Sequence, residues 1–277
     1  MTPDEYCENK AAQSGSSFYY SFRFLPTDKR LAMTALYAFC REVDDAVDEA
    51  SDPAVARLKL GWWRTQVNAA FDATPLHPVA LALKPVVASF MLPREHFQTV
   101  IDGMWMDLEQ NRYVDFNTLE RYCYCVAGVV GLLSAKIFGY VDPATADYAR
   151  QLGIAFQLTN IIRDVGEDAR RGRIYLPQDE LERFGIGTAD IFAGRVTPAF
   201  QALMGFQIER ARETYTKALA MLPSQDRRAQ RPGLIMAGIY RALLEEIARS
   251  GYRVLDRRIG LTPLRKAWIA WKTSWSY

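Results

Sequence analysis

The residues best suited to chemistry are two carboxylate pairs, Asp44 and Asp48 in REVDDAVDEA and, 120 positions later, Asp164 and Asp168 in QLTNIIRDVGEDARRGR. Within each pair the spacing is four residues, which on a helix puts both carboxylates on one face, one turn apart. Arg41 precedes Asp44 by three positions, and Arg163 stands directly before Asp164. Clustered carboxylates repel one another unless cations neutralise them. Mg²⁺ prefers oxygen ligands and is held by one or two carboxylates together with substrate phosphates. Two such turns facing each other would form an acidic cleft for a metal-bridged diphosphate.

The second pair belongs to a longer polar stripe. Gln157, Asn160, Asp164 and Asp168 recur at spacings of three, four and four, so all four share one helix face. The neighbouring residues Ile154, Phe156, Leu158, Ile161 and Ile162 can bury the helix without help, leaving the polar stripe to face water or to line an internal cleft. A single DxxxD is usually a solvated helix face. Two of them, each beside an Arg and one extended by Gln and Asn, favour the cleft. Leu36, Tyr37, Phe39 and Cys40 provide the apolar face upstream of the first pair. Arg41 and Arg163 can bridge the acids of an empty site or bind phosphate oxygens, and these roles do not exclude each other.

Positioning these turns requires long helices, and helical periodicity is nearly continuous along the 277 residues. Helices are predicted over KRLAMTALYAFCREVDDAVDEA and ARLKLGWWRTQVNAAFD, and near 77–91, 94–111, 117–139, 143–168, 188–192, 197–222 and 231–256, punctuated by prolines. The expectation is an all-α fold forming a single domain over 1–277. The charge run in SQDRRAQRPGL reads as a mobile, solvated connection. A net charge of +2 gives no reason to expect nucleic acid as partner. Cys7, Cys40, Cys123 and Cys125 lack CxxC spacing and only two histidines accompany them, so reduced thiols are expected rather than a zinc site. The polar start MTPDEYCENK lacks the layout of a signal peptide, and no apolar run reaches the ~18 residues of a spanning helix. A cytoplasmic location is expected. The basic and aromatic RKAWIAWKTSWSY allows either plain terminal helix packing or peripheral contact with the inner membrane surface.

Several blocks, in order, resemble the squalene/phytoene synthase family of head-to-head prenyl transferases: SFYYSFRFLP at 17–26, ALYAFCREVDDAVDE at 35–49, DGMWMDLEQNRY at 102–113, YCYCVAGVVG at 122–131 and QLTNIIRDVGEDARRGRIYLP at 157–177. The resemblance implies an isoprenoid-synthase helical bundle around a central cavity. It implies that Asp44, Asp48, Asn160, Asp164 and Asp168 bind Mg²⁺, and that Arg41, Gln157, Asn160 and Arg163 help hold the diphosphates of two prenyl donors. Tyr122 would then sit near the reacting carbons, whereas burial habits alone make it a packed core residue. Ser17 and Phe18 match a segment that helps close over substrate, and Arg173, Tyr240 and Arg257 are further substrate-binding expectations. Ala127, Gly128 and Gly131 either leave room for prenyl tails or allow close helix packing.

The opening AAQSGSSFYYSF, the wording REVDDAVDE and the length resemble the bacterial presqualene diphosphate synthases of hopanoid biosynthesis within that family. This implies condensation of two farnesyl diphosphates with Mg²⁺ and without NADPH. Phytoene, dehydrosqualene or NADPH-dependent squalene synthesis are the alternatives, and a prenyl-lipid binding protein is the non-enzymatic one.

Overall fold

The computed structural model describes residues 1–13 and 25–276 and is helical throughout, with no strand among those residues. Ser17 and Phe18 lie outside the described residues. In chain order the helices are α1 (Pro3–Gln13), α2 (Thr27–Asp48), α3 (Pro53–Asp72), α4 (Pro78–Ser89), α5 (Arg94–Glu109) and α6 (Phe116–Cys123). A π-helical turn, Tyr124–Gly128, joins α6 to α7 (Val129–Phe138). Next come α8 (Ala144–Arg170), α9 (Gln178–Arg183), α10 (Thr188–Phe192), α11 (Pro198–Met221), α12 (Arg231–Arg249) and α13 (Pro263–Ser276).

Local chemistry explains the ends that matter for the site. Helix α2 stops at Asp48 because Asp52 caps the next helix, accepting from the Ala54 amide at 2.8 Å, and Pro53 occupies its first turn. Helix α8 stops at Arg170, and Gly172, with φ +77°, supplies the left-handed turn beyond it. Both acidic pairs therefore sit in the last turns of their helices. Helix α12 ends at Arg249 rather than continuing to 256, since Gly251 (φ +72°) and Tyr252 (φ +60°) both adopt left-handed backbone.

The core has two lobes. One gathers α8, α11 and α12 around Tyr148, Phe200 and Tyr215, and the other gathers α2 to α5 and α7 around Leu36, Phe39, Leu60 and Phe97. Tyr124 and Val126, on the π-helical turn, pack against both. Contrary to expectation, the stretch Phe116–Phe138 has the length and apolar composition to cross a membrane, and half of its apolar part is buried. Its apolarity has a simpler cause here, because it runs between the lobes and must satisfy an apolar environment on two sides.

Close approach of α7 and α8 explains the small residues. A Cβ added to Gly131 would stand 2.2 Å from the carbonyl oxygen of Ala149, and one added to Gly153 would stand 2.2 Å from that of Ala127. Helix packing therefore accounts for these glycines. Val126, rather than Ala127 or Gly128, faces the cleft described below.

The charged connection at 224–234 corrects another expectation. Asp226 is 2% exposed, and its carboxylate accepts from the Val141 amide (2.9 Å), the Asp142 amide (3.0 Å) and the Thr145 hydroxyl (2.6 Å). Gln230, also buried, donates to the carbonyls of Ala135 and Gly139. The connection is an anchor between α8 and α12, because side-chain acceptors serve backbone amides that would otherwise be buried unpaired. Asp226→Ala should lower unfolding stability by about 2–3 kcal/mol, the cost of leaving such groups unpaired. Urea unfolding measures this, and an unchanged midpoint would contradict the anchoring role.

Candidate active site

Where the lobes meet, a cleft of about 750 Å³ opens between the last turns of α2 and α8. Asp44, Asp48, Asp164 and Asp168 all line it, together with Arg41, Gln157, Asn160, Arg163, Arg173, Tyr122 and Tyr240. The two acidic turns thus face one cavity, as their spacing suggested. Arg257 is exposed and lies outside the cleft lining; its neighbour Arg258 lines the cleft instead. The chain leaves α12 without a regular helix there, so no helical spacing could distinguish the two arginines.

Ion pairs tie most of the acids lining the cleft to neighbouring cations. Arg41 donates to Asp44 and Asp45, each at 2.7 Å, and Lys10 of α1 bridges Glu42 and Asp45 at 3.0 and 2.8 Å. Asp48 accepts from Arg171 at 2.6 Å and from Arg173 at 2.7 Å, so the turn after α8 is tied to the end of α2. Arg163 pairs with Asp164 through two nitrogens and also bonds the Tyr240 hydroxyl. Arg258 approaches Asp164 at 3.4 Å and Glu167 at 3.5 Å. These bridges leave both acidic pairs within reach of cations that a bound anion can recruit.

Asp168 forms no ion pair among the described residues. Burial and the neighbouring Asp164 push its carboxyl up to about 7. Burial and Asp48 do the same to Asp44, also to about 7. Both shifts arise from burial first and from the neighbouring carboxylate second.

Three residues outside the acidic turns form a unit that sequence spacing does not reveal. Asp107 of α5 accepts from the Tyr122 hydroxyl and from the Tyr175 hydroxyl, each at 2.8 Å. The two phenol rings stack with centroids 5.2 Å apart. An isolated bridge between Arg112 and Ile174 ties the segment after α5 to the one after α8 and so brings Asp107 and Tyr175 together. Burial pushes Asp107 up to about 6, and burial with Asp107 alongside holds the Tyr122 phenol well above its ordinary value. Asp107 and Tyr175 lie within the blocks DGMWMDLEQNRY and GRIYLP, but no helical spacing links them to the acidic pairs. Tyr122 is both buried core and part of the cleft wall.

The donor set suits Mg²⁺. Carboxylates and carboxamides are the acceptors at the acidic turns, and Asn160 Oδ1 is buried without a hydrogen-bond partner although its Nδ2 donates to Gln157 at 3.2 Å. Among the described residues no three Asp, Glu, His or Cys side chains converge on one metal position.

Away from the charged end, Val100, Met104, Val126, Ile161, Ile239 and Leu243 form an apolar wall. The ring of Tyr240 packs on Phe156 with centroids 5.0 Å apart. Behind Phe156 is a separate small void of about 50 Å³, bounded by Met33, Leu152 and Met236 among others. The cleft therefore combines a charged side with an apolar wall, and Tyr240, which bonds Arg163 and packs on Phe156, joins the two.

Comparison with known proteins agrees with this geometry. A phytoene synthase from Arthrospira platensis is 39% identical over 267 residues, covering 92% of this chain and 86% of its own. The crystal structure of a dehydrosqualene synthase in complex with ligand superposes with a TM-score of 0.88 at 29% identity, covering 99% of this chain and 97% of that one. The squalene synthase HpnC from Alicyclobacillus acidocaldarius superposes with a TM-score of 0.80 at 30% identity, covering 90% and 94%. The bundle is the all-α isoprenoid-synthase fold of these neighbours. The sequence pattern described as squalene/phytoene synthase matches residues 11–265, and with two acidic turns facing one apolar cleft this chain belongs to that family of prenyltransferases, which condense prenyl diphosphates head to head.

Proposed function

We propose that the cleft joins two farnesyl diphosphates head to head into presqualene diphosphate, releasing diphosphate, with Mg²⁺ held by Asp44 and Asp48 on one side and by Asn160, Asp164 and Asp168 on the other. When bound, the cation would neutralise the diphosphate oxygens and favour their departure as a leaving group. The chain's own residues carry the remaining work. Arg41, Arg171, Arg173 and Arg258 exchange carboxylate partners for diphosphate oxygens, which their guanidinium forks fit. The C1–O bond of one donor breaks, the allylic cation is captured by the double bond of the other, and loss of one proton closes the cyclopropane ring. The Tyr122 phenol stays neutral, so it orients the reacting carbons while the departing diphosphate takes that proton. The apolar wall keeps water from the cation, and the Tyr122 and Tyr175 faces favour positive charge beside them.

The choice of donor is supported by the likeness to the dehydrosqualene synthase and to the squalene synthase HpnC. The 39% identity to a phytoene synthase favours a second reading, condensation of C20 donors. The deciding experiment supplies purified protein with Mg²⁺ and either farnesyl or geranylgeranyl diphosphate, with and without NADPH, and identifies products by mass spectrometry. Presqualene diphosphate from the C15 donor, unchanged by NADPH, is expected. Phytoene from the C20 donor with the C15 donor ignored would establish the second reading. Binding of either donor without any product would leave a prenyl-lipid binding protein.

A further inference from the structure

Helix α13 is amphipathic in an unusual sense, since its outward face is aromatic. Leu264, Trp268, Trp271 and Trp275 follow one another at spacings of four, three and four, which puts all four on one stripe. Their exposures are 84%, 56%, 57% and 78%. The opposite face holds the helix on the bundle: Ala270 is buried, Ile269 packs on the core, and Ile269 and Thr273 sit over Gly238 of α12. The outward stripe is therefore not needed to dock the helix. Exposed aromatic rows of this size are costly in water and mark an interaction surface.

The charge beside the stripe identifies the partner. Helix α13 has no acidic residue; of its cations Arg265 pairs with Glu246 of α12 and Lys266 lines the cleft, which leaves Lys272 beside the stripe. Lys272 lies over the Trp268 ring at 5.2 Å, so cation and indole form a joint surface. Tryptophan at a boundary between apolar and polar media, flanked by basic residues, matches the headgroup layer of an anionic bilayer. A protein partner would need a matching apolar groove, whereas a fluid bilayer accepts a convex stripe of indoles at any register. The location adds a reason. Gly260 and Leu261, just before α13, line the cleft, as does Lys266 on its first turns.

We infer that α13 is a membrane-docking helix which lays Leu264, Trp268, Trp271 and Trp275 into the interface of an anionic lipid bilayer, setting the cleft mouth beside the membrane. The test uses the full chain and needs no prenyl donor, so it stands apart from the choice of substrate. Unilamellar vesicles of phosphatidylglycerol and phosphatidylethanolamine, and others of phosphatidylcholine alone, are mixed with the protein and floated on a density gradient. The parent protein is expected to float with the anionic vesicles and to show a blue-shifted, bromolipid-quenched tryptophan emission. Trp268→Ser/Trp271→Ser/Trp275→Ser should weaken partitioning by about tenfold or more, since the apolar insertion is lost. Lys272→Ala should weaken it only on anionic vesicles. The triple variant should melt at the parent temperature, since the substituted side chains face outward. Parent protein that stays at the bottom of the gradient, or a triple variant that floats equally well, would overturn the assignment. So would sedimentation showing a parent dimer and a monomeric triple variant, because a second copy of the chain would then cover the stripe.

Discussion

Asp168→Asn is expected to lower turnover by about 10²–10³-fold, the usual cost of losing one charge-stabilising group at a reacting centre, while raising the melting temperature of the metal-free protein. Both effects have one origin. Asp168 is partly enclosed beside Asp164, and its carboxyl is pushed up to about 7 by burial first and by that neighbour second. In the unfolded chain the same group titrates near its ordinary value of 3.8. The native state therefore holds the proton more tightly, and the stability this group provides is present at low pH and is lost as pH rises from about 4 to about 7. The neutral amide removes the repulsion, so the variant should melt higher at pH 8 and show a flatter pH dependence between 4 and 7. It should also gain less from added Mg²⁺, which the parent needs for the relief the amide already supplies. Melting scans across pH, with and without the metal, and steady-state rates check each part. Unchanged turnover would remove Asp168 from the site, and an unchanged pH profile would remove the stated cause of its shift.

Phe156→Ala should move donor preference toward longer prenyl chains. In the parent the Phe156 ring stands between the cleft, at Tyr240, and the void bounded by Met33, Leu152 and Met236. Removing the ring enlarges the void behind Tyr240, so the tyrosine ring can retreat and give the end of a prenyl tail somewhere to go. Discrimination by an apolar pocket is commonly worth about 10–200-fold when the substrate differs by little more than a methylene. A shift of at least about tenfold in the C20-to-C15 product ratio is therefore expected in a competition assay read by mass spectrometry. The ratio is taken relative to the parent protein, so the direction holds whichever donor the parent favours. The truncation also costs stability, about 3 kcal/mol for a large-to-small core change, and a melting scan separates that cost from altered selectivity. An unchanged ratio in a folded, active variant would show that the tail ends elsewhere.

The stabilities and activities of the two variants move differently for a physical reason. Asp168 sits where repulsion from Asp164 has been kept. Phe156 is half-buried against the apolar core and borders a small void, so its loss weakens the fold and the boundary together. Electrostatic tension at the acidic turns and an apolar wall beside them are what a site for a charged head and an apolar tail requires.

Much of this arrangement is legible in the amino-acid sequence itself. The i, i+4 spacing of Asp44 with Asp48 and of Asp164 with Asp168 depends only on helix geometry, and so does the stripe that adds Gln157 and Asn160. Proline and glycine punctuation places most helices within a few residues, because those residues act on the backbone locally. Short elements such as α9, the π-helical turn and the end of α12 are not legible, since each is decided by packing or by a left-handed residue such as Tyr252. The sequence alone thus determined the all-α class, the two acidic turns and the arginines beside them. Only tertiary structure could place Asp107 between Tyr122 and Tyr175, select Arg258 over Arg257, turn Asp226 into an anchor and leave the tryptophans of α13 outside. Those outcomes join residues far apart in the chain, whose meeting depends on how the two lobes close around the cleft rather than on any local periodicity.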